Sequence, residues 1–193
     1  MVKLVSEIAG KVGRLDRYQS LDVKPCLRRN NRIRSIHSSL AIEANSLSID
    51  AVRGVIDGKT VIGPVKEIQE VKNAYRAYDE LGKFAPFSID ELKCLRGVMT
   101  YLTVDESEQF RRGEEGVFDG GRCIFMAPPA MRVSALTDDL FSWMKQARKD
   151  VHPLILSSVF HYEFVFIHPF ADGNGRMARL WQTSLLCEWN RVF

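Results

Sequence analysis

Apolar residues recur at helical spacing along most of this chain. Asn31 to Asn45 carries Ile33, Ile36, Leu40 and Ala44 on one stripe, with arginines around the rest, and predicts an amphipathic helix. Ser48-Ile49-Asp50 reads as a cap and first turn of a short helix ending near Gly58. Gly63-Pro64 interrupts the pattern. A longer helix follows from Val65 to Leu81, with Ile68, Val71, Tyr75 and Tyr78 on one side. Ser88 followed three residues later by Glu91 is a capping box, opening a helix that reaches about Leu102. Ser134 to Lys149 repeats the helical pattern through Leu136, Leu140, Trp143 and Met144. His152-Pro153 opens the most apolar stretch. It ends at Pro169 and is interrupted by Ser157, Ser158, His161, Tyr162 and Glu163, so it reads as a buried central helix rather than a membrane span. A last helix begins at about Arg176.

One segment breaks the helical rule. Val117-Phe118, Asp119-Gly120-Gly121 and Cys123-Ile124-Phe125-Met126 alternate around a glycine turn and predict a β-hairpin, closed by Pro128-Pro129. The fold class is therefore mainly α, with one small hairpin. No repeat or linker divides the 193 residues, so one domain is the economical reading, with residues 1–30 as a helical N-terminal extension and 31–193 as the main domain.

Composition narrows the function classes. With 46% hydrophobic and 26% charged residues the chain is an ordinary globular protein. A net charge of +3 is too small to argue for nucleic acid. Arg28, Arg29, Arg32 and Arg34 form a cluster without interleaved aromatics, which reads as a solvated face. The four cysteines, Cys26, Cys94, Cys123 and Cys187, are far apart and form no CxxC pair. They point away from zinc and disulfides and toward buried free thiols in a reducing, cytoplasmic setting. The N-terminus has no signal-peptide pattern and no stretch has the length of a membrane span. Self-association is left open.

The chemistry concentrates in His168-Pro169-Phe170-Ala171-Asp172-Gly173-Asn174-Gly175-Arg176-Met177-Ala178-Arg179. A helix ends, a loop with two glycines follows, and a new helix begins. Glycines let backbone N–H groups converge on an anion, and the new helix adds its positive end. Arg176 and Arg179, three apart, share a face and suit phosphate oxygens. Asp172 supplies a hard oxygen for Mg²⁺, and His168 a base near neutral pH. Taken singly these residues could be a core histidine, a turn and a solvated face. Together they describe phosphoryl-type transfer.

The same stretch resembles the Fic signature HPFx(D/E)GNGRxxR at every fixed position, and His161-Tyr162-Glu163-Phe164 before it is also similar to that family. The resemblance covers Ile33 to the end. It implies a protein adenylyltransferase that transfers AMP from ATP, with Mg²⁺, onto a Ser, Thr or Tyr hydroxyl of a target protein. By the same resemblance His168 takes the hydroxyl proton and Asp172 holds Mg²⁺. Gly173, Asn174 and Gly175 form the anion hole, with Asn174 contacting the α-phosphate. Arg176 binds phosphate, Arg179 meets the γ-phosphate, and Phe170 anchors the loop.

Ser39 and Glu43 resemble the family's inhibitory helix, (S/T)xxxE(G/N), placed here near residues 33–46. Ala44 stands where Gly or Asn is preferred. The resemblance pairs Glu43 with Arg179 and so blocks the γ-phosphate. It also makes the hairpin a flap on which a target segment docks along Cys123, Ile124, Phe125 and Met126. Two alternatives stay open. One is removal of AMP by the same site, with Glu43 placing a water; the other is a non-catalytic nucleotide-sensing or toxin–antitoxin module.

Overall fold

The computed structural model describes residues 2–17, 25–104 and 109–193. The side chains of Asp16, Arg17, Pro25, Cys26, Leu27, Val117, Phe118 and Asp119 lie outside the described set. The helices are α1 (Val2–Arg17), α2 (Pro25–Ile42), α3 (Ile49–Ile56), α4 (Val65–Asp79), α5 (Ile89–Met99), α6 (Val133–Ala147), α7 (Pro153–Ile167) and α8 (Asn174–Trp189). A hairpin of β1 (Gly116–Asp119) and β2 (Arg122–Met126) interrupts the helical order between α5 and α6. The mainly helical class with one hairpin is what the periodicity predicted.

Element ends depart from expectation for local reasons. Ser88 accepts the Glu91 amide at 3.4 Å, but its own amide donates to the Ala85 carbonyl, so only half of the capping box forms. The helix after it stops at Met99, and the helix predicted to Leu81 stops at Asp79. A 3₁₀ turn, Ala130–Arg132, leads into α6.

The core is built around the α7–α8 helical hairpin, with α6 against α7. Trp181 is fully buried, with Phe84 stacked on it at 4.9 Å and Phe141 and Phe160 beside it. Its indole N–H donates to the Pro86 carbonyl at 3.0 Å, so the ring is buried without an unmet donor. Ile33, Ile36 and Leu40 of α2 join this core. The helix expected to be buried and central, α7, packs into the core along one side only. Phe160 and Phe164 face inward, but Tyr162, Val165 and Phe166 are exposed on the side under the hairpin, where Phe125 meets Phe166 at 5.5 Å.

Gly120 and Gly121 both have positive φ, as a tight two-residue hairpin turn requires. β1 pairs antiparallel with β2 through Gly116–Met126 and Val117–Phe125, with an irregularity between Val117 and Phe118. The sheet has two strands among the described residues, so each keeps an unpaired edge. The cysteine expectation is also corrected. Cys94 and Cys123 are exposed and Cys187 is half-buried, and all three are free.

Candidate active site

The loop between α7 and α8 is held by its own asparagine. Asn174 is buried, with its side-chain oxygen accepting the Phe170 amide at 2.9 Å and its side-chain nitrogen donating to the Phe170 carbonyl at 2.6 Å. Both ends of that amide bond the loop, so the side chain is committed to holding the loop's shape while the Asn174 backbone N–H faces away from it. Asn174 and Gly175 belong to α8, not to the loop, since the helix begins two residues before the expected Arg176. The first-turn amides of Asn174, Gly175 and Arg176 therefore point outward with no carbonyl one turn back. This is the anion-attracting end of a helix.

Phe170 is fully buried against Phe110 and Phe164. The Arg96 guanidinium lies 4.9 Å from the Phe170 ring centroid and donates to the Asp172 carbonyl at 3.2 Å. Arg96 is a buried support that sequence reasoning missed.

His168 caps α7 in the left-handed conformation, φ 52° and ψ 59°. Its Nδ1 lies 3.3 Å from the Val165 carbonyl. A carbonyl can only accept, so that contact suits the tautomer with its proton on Nδ1 and a lone pair on Nε2.

Asp172 accepts the Gly173 amide at 2.6 Å and Arg176 Nη2 at 3.0 Å, both through Oδ1. Its side chain remains 42% exposed. Arg176 is buried between this carboxylate and Glu70, 3.5 Å from Nη1, and its Nε has no hydrogen-bond partner. Glu70 also accepts Asn45 Nδ2 at 2.9 Å. Nothing in the sequence singles out Glu70 or Asn45, which sit among ordinary helix and turn residues.

Arg179 turns toward α2. Its Nε donates to the Ser39 hydroxyl at 2.8 Å, and Nη2 donates to the Ser39 carbonyl at 3.0 Å and to Glu43 Oε1 at 2.7 Å. A Cβ added to Gly175 would run into the Glu43 carboxylate and lie 3.0 Å from Arg179 Nη1. Glu43 thus brings a negative charge to the first turn of α8, and glycine is what lets it approach.

The helix expected over 33–46 ends at Ile42, so Glu43 lies in the turn that follows. The Asn45 amide donates to the Leu40 carbonyl and the Ala44 amide to the Ala41 carbonyl, a Schellman pattern. That pattern needs a left-handed residue after the cap, and Ala44 has φ 65°. Gly and Asn adopt this conformation more readily than Ala, which gives a preference for them here a conformational basis.

The arginine cluster is partly paired: Arg29 with Asp57 and Arg32 with Asp79, while Arg34 is exposed. On β2, Cys123, Ile124 and Met126 are exposed and Phe125 is half-buried. No hydrogen bond among the described residues joins β2 to Ser39, Glu43 or Arg179. A cavity of about 510 Å³ lies beside the hairpin, lined by Phe125, His161, Tyr162, Phe166 and Gln182 among others. Burial pushes the His161 pKa below its ordinary value; a hydrogen bond with Gln182 opposes this and the charge of Arg179 adds to it. No group of three or more His, Cys, Asp or Glu that could hold a metal is present among the described residues. No helix among them is long and apolar enough to cross a membrane.

Comparison with known proteins follows the same lines. A profile described as the Fic/DOC family matches residues 31–186. A protein adenylyltransferase Fic from Aedes aegypti is 29% identical over 165 residues, covering 80% of this chain and 32% of that protein. One of the same name from Drosophila grimshawi is 30% identical over 162 residues, covering 78% of this chain and 32% of its own. The chain thus spans about a third of the length of these relatives. The crystal structure of a Fic family protein from Desulfovibrio desulfuricans G20 superposes with a TM-score of 0.93 at 46% identity, over 99% of this chain and 58% of that one.

Proposed function

The chain belongs to the Fic/DOC family, and from that premise we propose that it is a protein adenylyltransferase, self-inhibited by Glu43, that moves AMP from ATP onto a Ser, Thr or Tyr hydroxyl of a target protein. The observation that carries the reading is the Glu43 carboxylate lodged against Gly175 and Arg179 at the head of α8. An acidic side chain already occupies the place an anionic ligand would take.

The residues divide the work by position. Nε2 of His168 takes the proton of the target hydroxyl as that oxygen attacks the α-phosphorus, and pyrophosphate leaves. The first-turn amides of Asn174, Gly175 and Arg176 hold phosphate oxygens. Gly173 gives the chain its turn into the helix at φ 85°. Arg179 takes the γ-phosphate once Glu43 withdraws. Arg176, fixed by Asp172 and Glu70, adds positive charge near the leaving group.

Asp172 fits a Mg²⁺ site of the kind completed by substrate phosphates. Its Oδ1 is engaged, and its Oδ2 makes no hydrogen bond among the described residues. One protein carboxylate suffices where phosphates and water fill the octahedron. When bound, the ion offsets charge on the departing pyrophosphate.

The free edge of the hairpin suits main-chain pairing with an extended target segment. Free thiols at Cys94, Cys123 and Cys187 agree with a reducing, cytoplasmic setting. Removal of AMP is the second reading. It is favoured by one feature, that the Glu43 side chain is 32% exposed beside the anion site and can hold a water there.

The test is incubation with ATP labelled at the α-phosphate, with mass spectrometry for the added group and its site. Incorporation of AMP supports transfer. Release of AMP from a labelled target without incorporation supports removal, and neither result with intact ATP binding leaves a non-catalytic nucleotide module.

A further inference from the structure

Arg111 lies just before the hairpin and is only 4% exposed. A guanidinium buried that deeply must have its donors met. Here backbone carbonyls meet them. Nε donates to the His168 carbonyl at 2.7 Å and Nη1 to the Gly113 carbonyl at 2.8 Å. Nη2 donates to the Pro128 carbonyl at 2.5 Å and to the Ile167 carbonyl at 3.3 Å. The Arg111 amide adds a bond to the Pro169 carbonyl at 2.9 Å.

These acceptors come from three places. Gly113 precedes β1, Pro128 follows β2, and Ile167 to Pro169 end α7. One rigid planar group therefore joins both legs of the hairpin to the helix end that carries His168. The carbonyls it takes at α7 are ones a helix leaves unmet, at the end where the dipole favours a cation. His168 is also left-handed, φ 52°, a conformation that costs a non-glycine residue about 1–2 kcal/mol. The bonds to residues 167–169 hold it there.

We infer that Arg111 is a positioning residue that keeps the hairpin, and the target hydroxyl carried on it, in register with the His168 imidazole. This rests on the reading of His168 as the base and the hairpin as the target-docking flap. The anion site depends on different contacts, namely Asn174 with Phe170 and Arg96 with Asp172. Loss of Arg111 should therefore strike the transfer step and spare ATP binding. A lysine would keep the charge without the planar fork that reaches four carbonyls.

The test compares the whole chain with its Arg111→Gln and Arg111→Lys variants in two measurements. Amide hydrogen exchange should rise together in residues 113–128 and 167–170 of both variants, with α3 and α4 unchanged. The kcat for AMP transfer should fall by about 10²-fold while the Kd for ATP stays within about twofold, because a small misplacement of reacting groups is felt in the chemical step. The inference is overturned if exchange rises everywhere, if it rises in the hairpin alone or in neither segment, if ATP affinity falls with kcat, or if Arg111→Lys behaves as wild type. If the unmodified chain transfers no AMP at all, the functional reading fails, and the exchange measurement alone still decides whether Arg111 couples the two segments.

Discussion

Glu43 and Arg179, 136 residues apart in sequence, meet at 2.7 Å, with the same arginine donating to the Ser39 hydroxyl at 2.8 Å. The Arg179 guanidinium is thus held by the last turn of α2 and the residue just after it. In the proposed scheme Glu43→Gly frees Arg179, so ATP should bind about tenfold more tightly, or ~1.4 kcal/mol, the low end for a charge-assisted bond that is partly exposed. AMP incorporation should rise. Calorimetric titration with ATP and labelling of the wild type, Glu43→Gly and Glu43→Gly/Arg179→Ala check this. The double variant should lose the gain, and an unchanged rate in folded Glu43→Gly would remove the brake.

Ala44 holds a left-handed position that glycine adopts without strain. Ala44→Gly should therefore stabilise the fold by about 1 kcal/mol, seen as a Tm higher by roughly 2–4 °C. Ala44→Val should lower the Tm. Equal melting of all three proteins would contradict the assigned backbone strain.

His168→Ala should cut AMP transfer by about 10²–10⁴-fold, the usual effect of losing a general base. ATP binding should survive, because the amides of α8 and the two arginines are untouched. Near-normal incorporation by a folded variant would take the base assignment away from His168.

Asp172→Asn keeps an oxygen that can accept from the Gly173 amide and Arg176, as Oδ1 now does, but removes the charge. The loop should hold while the Mg²⁺ concentration needed for half-maximal activity rises about tenfold or more. Superimposable Mg²⁺ titrations for the two proteins would end the metal assignment.

His161 gives a pH dependence whose sign can be worked out. Its folded pKa lies below the ordinary 6.5, chiefly through burial. Between that folded value and 6.5 the unfolded chain binds the proton and the folded chain does not, so stability rises with pH there. The contribution is complete above about 6.5 and is lost as pH falls through the folded pKa. Urea unfolding at steps from about pH 7.5 to 5 should show this decline, and His161→Gln should flatten it. An identical slope in the variant would assign the decline to other groups.

Much of the helical order was legible because each helix buries a stripe at its own period: Ile33, Ile36 and Leu40 on α2, or Leu140 and Met144 on α6, are core residues. The hairpin was legible from its paired glycines. Helix ends were less so. The end of α2 at Ile42 depends on a carbonyl-to-amide pattern around Ala44 that alanine by itself does not advertise. The face of α7 left open beneath the hairpin was hidden too, since Val165 and Phe166 look like core residues in a run this apolar.

The sequence alone determined what is contiguous: a mainly helical chain, a hairpin at one place, and a histidine, aspartate, glycines and arginines packed into twelve residues around one helix start. Such features are set by local spacing, and spacing is all that a linear chain displays. Tertiary structure decided which distant groups share that helix start. It put Glu43 against Gly175, seated Arg176 between Asp172 and Glu70, and buried Arg111 among carbonyls of three segments while Arg112 beside it stayed exposed. The physical reason is that a buried charge takes its partners from whatever the packing of helices brings near, and the packing belongs to the whole core rather than to any stretch of chain.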